Sequence, residues 1–173
     1  MRGAPYTEAM KLFVTAKPAA RPRTDTATKA ALIYAFILVV MAVCQLFTFE
    51  DFTTLIESYA LPFAPWFIAA LPAFIVAMEV FALPFLLRMT LSDAFRWLSL
   101  LCGWTAPLLW VIVSGWSART LSGDIFSTIG FLGSLGSIPV GWWAVGFSLS
   151  MALLAAWASW GMWPLAPRKS SVQ

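Results

Sequence analysis

Charged residues are scarce in this sequence, and histidine is absent from it. Of its 173 residues, 11% are charged and 61% are hydrophobic, with a mean hydropathy of +0.82. Soluble domains are about a quarter charged and about half apolar. The composition therefore predicts an integral membrane protein rather than a soluble domain. Without histidine, the chain has no ligand for His-ligated haem, lacks the usual general base and is unsuited to most metal sites.

Long apolar runs dominate the remaining sequence. Four of them can each cross the ~30 Å hydrocarbon core, for which a helix needs roughly 20 residues: residues 30–49, 66–87, 97–116 and 141–163. Continuous apolar runs lack the alternation of a membrane β-barrel strand. We therefore predict an all-α, integral membrane four-helix bundle over residues 29–164. A disordered tail is expected over residues 1–28, and a second tail over 165–173.

The distribution of lysine and arginine predicts the orientation of this bundle. If the four helices alternate in direction, ten of the 11 cations fall on the side of the two termini. Arg119 is the one cation on the other side, which also carries the acids Glu50, Asp51, Glu57 and Asp124. Under the positive-inside rule, both termini are cytoplasmic in a multi-pass protein of the bacterial inner membrane. No segment supplies the basic face of a nucleic-acid-binding protein.

Sites of known chemistry are not evident in the sequence. Cys44 and Cys102 are the only cysteines, and they lie about 21 Å and 7 Å from the inner surface at 1.5 Å per helical residue. A disulfide needs Cα atoms within about 7 Å, so we expect two separate thiols. The chain has no C-x-x-C, P-loop, dinucleotide motif or nucleophilic triad. We therefore expect no metal site. Whether the protein is an enzyme stays open at this point, and an accessory membrane subunit is favoured.

Two features between the helices are unusual. Residues 117–140 are too polar to span a membrane and too apolar for a solvated loop, so we expect a partly inserted outer cap. Gly130, Gly133 and Gly136 recur every third residue there, which indicates either close approach to the helices or flexibility. Pro72, Pro84 and Pro107 fall inside helices, which membrane proteins tolerate. Tryptophans cluster near the helix ends, as in an aromatic belt.

Glu79 is the acidic residue inside a predicted membrane helix. An ionised carboxylate in hydrocarbon costs about 2.5 to 3.5 kcal/mol on insertion scales, so we expect Glu79 to face the bundle in its protonated form. Counted at 1.5 Å per residue from the cytoplasmic end of each helix, Glu79 lies about 12 Å deep, at the same level as Thr105 on the next helix. Gln45 and Ser148 lie about 22 Å deep and form a second possible polar layer. Glu79 with Thr105 is thus a candidate proton or quinone site. The alternative is an interhelical hydrogen bond with a purely structural role.

The order of these features resembles the MauE/DoxX-like family of four-helix membrane proteins. Members of this family have a loop of the form F-x-x-x-L-x-x-Y-x-L-P, followed by a helix with A-L-P-x-x-E. The loop is matched by Phe52, Ile56, Tyr59, Leu61 and Pro62. The helix is matched, with a longer Pro-to-Glu gap, by Leu71, Pro72 and Glu79. Farther on, residues 123–154 resemble the segment before the family's fourth helix. The resemblance covers about residues 30–163. Where MauE proteins carry two cysteines, this chain has Ile129 and Phe131.

The resemblance implies a function in redox metabolism. MauE proteins are associated with methylamine utilisation and with disulfide maturation of a dehydrogenase subunit, and the DoxX branch with quinone-linked oxidation. Because the family cysteines are missing, a direct thiol–disulfide role is not expected. The resemblance implies an accessory or quinone-associated subunit for a periplasmic or membrane redox partner. The alternative is a membrane assembly or scaffold protein without a small-molecule site.

Overall fold

The computed structural model describes residues 16, 18, 19, 22–121, 128–136 and 139–162. Within these ranges the chain forms five α-helices, one 3-10 turn and no strand: α1 (Asp25–Phe47), α2 (Phe49–Ser58), α3 (Pro65–Leu86), α4 (Asp93–Thr120), the turn Gly130–Leu132 and α5 (Trp142–Met162). The predicted tail over 165–173 lies outside the described residues, as does most of the tail over 1–28.

Four of the helices are long and apolar enough to cross a membrane, as predicted: α1, α3, α4 and α5, with 23, 22, 28 and 21 residues. Two of them, α1 and α4, start four or five residues earlier than their apolar windows. The hydroxyl of Thr24 caps α1 by accepting from the amide of Ala27, and Ser92 caps α4 at Phe95 in the same way. Residues 25–28 therefore belong to a helix and not to a tail. Hydropathy finds the apolar run, whereas a side-chain oxygen sets the helix start.

The fifth helix, α2, lies between α1 and α3, in a segment where acidic residues alternate with apolar ones. Its apolar residues Phe52 and Ile56 stand four positions apart and are both buried, whereas Glu50 and Asp51 are exposed. This spacing places one apolar stripe on one face of a short helix. The alternation of acidic and apolar residues is therefore helical amphipathicity, and α2 packs on α3 and α1.

Each long helix packs against two others. α1 and α4 both contact α3 and α5, and α3 and α4 are joined by the short segment 87–92. The start of α1 meets the finish of α5, where the amide of Arg23 donates to the carbonyl of Gly161 at 2.8 Å. A Cβ on Gly161 would collide with Ala27. The four helices therefore have two common ends, called here the α2 end and the opposite end.

Side chains from neighbouring helices contact the backbone close to two of the prolines. A proline leaves the carbonyl four residues earlier without its helical donor, and for Pro107 this is the carbonyl of Gly103. The hydroxyl of the fully buried Tyr34, on α1, donates to that carbonyl at 2.7 Å. Near Pro84, Ser99 accepts from the amide of Phe85 at 3.0 Å and donates to the carbonyl of Ala82 at 3.2 Å. These bonds couple the proline turns to other helices, in the case of Tyr34 across the core from α1 to α4.

Large apolar side chains cover the outside of the helices, as a lipid-facing surface requires. Phe36 is 70% exposed and Leu153 is 71% exposed, and Trp66, Trp97, Trp142 and Trp160 are more than half exposed near helix ends. This arrangement fits the predicted aromatic belt. Trp110 departs from it, since it is fully buried at the centre of the core.

Tyr34→Phe should lower stability by about 1 kcal/mol, because it leaves the Gly103 carbonyl buried without a donor. In a Pro107→Ala background, residue 107 regains an amide that can donate to that carbonyl. The same Tyr34→Phe change should then cost clearly less. Reversible unfolding in mixed dodecyl maltoside and dodecyl sulfate micelles measures both costs, and equal costs in the two backgrounds would contradict this role for Tyr34.

Candidate functional site

Glu79 lies at the centre of a polar contact among three helices. Its side chain, on α3, is fully buried. The Oε1 atom accepts a hydrogen bond from the indole Nε1 of Trp110, on α4, at 2.9 Å and another from Nε2 of Gln45, on α1, at 3.3 Å. The prediction that Glu79 faces the other helices and not the outer surface is thus confirmed. Both donors are neutral groups.

The direction of helical side chains explains how these three residues meet. A Cα–Cβ bond tilts toward the start of its own helix. The side chains of Gln45 and Trp110 therefore lean away from the α2 end, because α1 and α4 start at the opposite end. The side chain of Glu79 leans toward the α2 end, where α3 starts. A depth estimate based on backbone rise puts Glu79 and Gln45 about 10 Å apart along the membrane normal. It omits this tilt and assumes that all helix ends are level, so it missed the pair.

The amide of Gln45 also contacts the connection between α4 and α5. Its Nε2 donates to the backbone carbonyl of Phe131 at 3.1 Å. A carbonyl can only accept, so this contact fixes which end of the amide points to Glu79. Gln45 thereby joins the carboxyl group to the 3-10 turn that follows α4.

Two oxygen atoms of this cluster have no hydrogen-bond partner: Oε2 of Glu79 and Oε1 of Gln45. Both side chains are 0% exposed. Buried polar atoms in native proteins are satisfied in the large majority of cases, and an unsatisfied one needs an explanation. If Glu79 is neutral, Oε2 carries an O–H donor while Oε1 of Gln45 remains an acceptor. The pair could therefore bind one hydroxyl or carbonyl group of a ligand.

The ring of Phe131 packs against Trp110 of the polar cluster. The ring centroid lies 4.7 Å from that of Trp110, 5.0 Å from Phe147 and 6.3 Å from Trp143. Phe131 is 2% exposed, and the neighbouring Ile129 is 0% exposed. The described part of the connection, 128–136, thus packs into the helices as the predicted cap.

Tyr59 holds this cap in place. Its hydroxyl donates to the carbonyl of Thr128 at 2.8 Å and accepts from the amide of Gly130 at 3.0 Å. Burial raises the pKa of Tyr59 far above its usual range, so the hydroxyl keeps the proton that it donates. The indole of Trp116 in turn donates to the Tyr59 carbonyl at 3.2 Å. Helices α2 and α4 therefore both anchor the cap.

A second anchor links the cap to the junction of α1 and α2. Thr48 donates to the carbonyl of Cys44 at 3.1 Å and accepts from the amide of Ser134 at 3.0 Å. The Ser134 hydroxyl donates to Oδ2 of Asp51 at 2.9 Å. Gly133, with a φ of 58°, lies against Thr48 and Cys44 so closely that a Cβ would collide with the Thr48 hydroxyl. Close approach, one of the two readings of the glycine spacing, is therefore correct at Gly133.

An apolar groove of about 230 Å³ adjoins the cluster between α1 and α5. Its walls are apolar side chains, among them Phe36, Val40 and Phe147, and it opens on the lipid-facing surface. Phe131 lines the groove with its side chain, and its carbonyl accepts from Gln45. Phe131 is therefore the residue that the apolar groove and the polar cluster share.

The two polar layers expected from helix depth are not present as paired layers. Thr105 does not bond to Glu79, because its hydroxyl donates to the carbonyl of Leu101 on its own helix at 2.8 Å. Ser148 pairs with Ser114 at 3.3 Å instead of with Gln45. A hydroxyl on a helix readily bonds the carbonyl one turn earlier, so matching depth is not enough to pair two residues.

The remaining site predictions concern cysteines and metals. Cys44 and Cys102 are both free thiols, as expected. No group of three potential metal ligands was found within the described ranges.

No family model, curated protein or solved structure matches this chain. The resemblance to MauE/DoxX-like proteins therefore stays a prediction that rests on the sequence motifs.

Sequence reasoning missed Trp110 and Phe131 as parts of the site. Trp110 is one of 10 tryptophans, and it lies near the middle of its helix, where an aromatic belt does not explain it. Its position between the helix ends was the available signal. Phe131 had only the glycines beside it as a signal, since long-range packing decides where a connection inserts.

Gly133→Ala should loosen the cap, because the new Cβ meets Thr48 and the backbone has a positive φ. Such strain costs on the order of 1–3 kcal/mol. Gly146→Ala is the matched control, since a Cβ there meets nothing within 4 Å and helical Gly→Ala stabilises by up to about 1 kcal/mol. Micelle unfolding and hydrogen exchange at the Gly130 and Ser134 amides would report the difference; identical behaviour of the two variants would show that the cap is not tightly seated.

Proposed function

We propose that this chain is a MauE/DoxX-type four-helix bundle of the bacterial inner membrane that binds a quinone headgroup at Glu79. In this role it is an accessory, quinone-associated subunit for a redox partner on the outer face. The observation that carries the proposal is the unpartnered Oε2 of Glu79, in a cluster that shares Phe131 with an apolar groove. Binding sites for small apolar molecules combine an apolar lining with a few polar groups of this kind.

The chemistry of the cluster fits both redox forms of a quinone. A neutral Glu79 can donate a hydrogen bond from its Oε2 hydroxyl to a quinone carbonyl. A quinol hydroxyl can accept from Oε2 and donate to the free Oε1 of Gln45. Because Oε1 of Glu79 is already held by Trp110 and Gln45, the carboxyl group is oriented before the ligand arrives.

A ligand would reach this carboxyl group through the groove between α1 and α5. The ring of Phe131 lines the groove and packs on Trp110 of the cluster, so the proposal requires this ring to move aside. The backbone on either side of it would remain anchored, at Gly130 through Tyr59 and at Ser134 through Thr48. The apolar tail of the ligand would then lie against Phe36 and Val40 on the lipid-facing side.

The competing proposal is a scaffold protein without a small-molecule site. It is favoured by the two hydrogen bonds that Oε1 of Glu79 already accepts from α1 and α4. Interhelical hydrogen bonds in membrane proteins contribute about 0.6 to 2 kcal/mol each. On this alternative, Glu79 joins three helices and has no other role.

Binding of decylubiquinone to the purified protein in dodecyl maltoside distinguishes these proposals. Glu79→Leu should abolish binding, and Val40→Trp should block the groove without touching the carboxyl group. Val43→Trp is the matched control on the same helix, because Val43 is 59% exposed and does not line the groove. Glu79→Gln should fold normally, since it preserves the shape of the side chain.

The quinone proposal fails if the wild type binds no decylubiquinone. It also fails if Val40→Trp and Val43→Trp bind equally well. A Glu79→Leu variant that loses stability but no ligand would support the scaffold role.

The proposed orientation places both termini in the cytoplasm. Arg23, Lys29, Arg88 and Arg96 all lie toward the end where α1 starts and α5 finishes, and Glu50, Asp51 and Glu57 lie at the α2 end. This asymmetry follows the positive-inside rule. Green fluorescent protein fused to the C-terminus should fluoresce, and alkaline phosphatase fused after Thr120 should be active; the reverse pattern would refute the orientation.

A further inference from the structure

A second groove lies at the α2 end of the helices, and its lining includes none of Glu79, Gln45, Trp110 and Phe131. Its volume is about 340 Å³, and α4, α5 and the linker between α2 and α3 form its walls. The inner part of the wall is apolar and includes Val111, Ile112 and Val145. Ile112 is 51% exposed, so the groove opens on the lipid-facing surface.

Arg119 is the one charged residue among the described residues that line this groove. It is exposed in the last turn of α4. Val111 and Gly115 precede it by eight and four residues, so all three lie along nearly the same face of α4. At 1.5 Å per residue, Arg119 stands about 12 Å beyond Val111 along the helix. The groove is thus apolar along its length and positive at its end.

Two tryptophans flank the charged end of the groove. Trp142 is 63% exposed, and Trp116 is half-buried with its indole N–H bonded to the Tyr59 carbonyl. Tryptophan favours the boundary between hydrocarbon and headgroups because its ring is apolar and its N–H is polar. The guanidinium of Arg119 therefore lies near the level at which phosphates of a bilayer are found.

We propose that this groove binds one phospholipid with an anionic headgroup, whose phosphate contacts Arg119 and whose acyl chain lies along Val111 and Val145. A guanidinium pairs with a phosphate through two parallel hydrogen bonds. The apolar lining suits a chain of methylene groups, and the binding is independent of the proposed quinone site. A quinone is a poorer match, because it has no anionic group for Arg119.

A second copy of this chain is also a poorer match for the groove. A two-fold contact uses the same surface patch on both copies. If it were centred here, it would bring two Arg119 side chains together, and like charges repel. An anionic lipid instead neutralises the charge and fills the concave surface.

The experiment uses the full chain in nanodiscs with equal amounts of phosphatidylcholine and phosphatidylglycerol, followed by native mass spectrometry of the released protein. The wild type should retain one phospholipid, with phosphatidylglycerol enriched about tenfold if the charge pair contributes one decade of affinity. Arg119→Gln should remove this enrichment, whereas Arg119→Lys should retain most of it, because the positive charge remains.

A matched glycine pair tests the groove itself. A Cβ on Gly115 meets nothing within 4 Å and Gly115 lines the groove, so the side chain of Gly115→Leu starts unobstructed and is expected to occupy the groove. Gly146→Leu is the control, since its Cβ is also unobstructed and it does not line this groove. Gly115→Leu should displace the retained lipid, and Gly146→Leu should behave as the wild type.

Three results would overturn the proposal. The first is equal phosphatidylglycerol enrichment in the wild type and Arg119→Gln. The second is equal lipid retention in the two glycine variants. The third is a lipid-free dimer that Gly115→Leu dissociates, which would identify a second copy as the occupant.

Discussion

A polar group buried among helices in hydrocarbon has to find its hydrogen-bond partner inside the protein, and the arrangement of this chain depends on that constraint. Glu79 on α3 accepts from Gln45 on α1 and from Trp110 on α4. Tyr34 supplies a donor to the carbonyl that Pro107 leaves free. Apolar side chains pack equally well against lipid and against other apolar side chains, so directional bonds of this kind fix the register between helices.

The cap between α4 and α5 extends the same principle to a connection. Its backbone is held by the Tyr59 hydroxyl and by Thr48, and its Phe131 ring packs on Trp110 of the polar cluster. The two positions where the family resemblance would place cysteines, Ile129 and Phe131, are buried packing residues here. Contact with the aromatic core thus takes the place that thiols would occupy. The proposed chemistry accordingly centres on the carboxyl group beneath the cap.

The accuracy of the sequence reasoning varied with the range of the interaction involved. The four long helices and the burial of Glu79 follow from local composition and were predicted. Helix depth by itself wrongly suggested Thr105 as the partner of Glu79. The partners that form, Gln45 and Trp110, are brought within reach by side-chain tilt and by an offset between helix ends. Both depend on how α1, α3 and α4 pack.

The sequence by itself determined that this chain forms long apolar helices and that a carboxyl group lies among them, because hydropathy and the cost of a buried charge act locally along the chain. Only the tertiary structure decided which groups this carboxyl meets, that Phe131 packs beside them, and where the two grooves of the proposals lie. These features depend on contacts between residues far apart in sequence, such as Gln45 and Phe131. No local pattern in the sequence records such a distance.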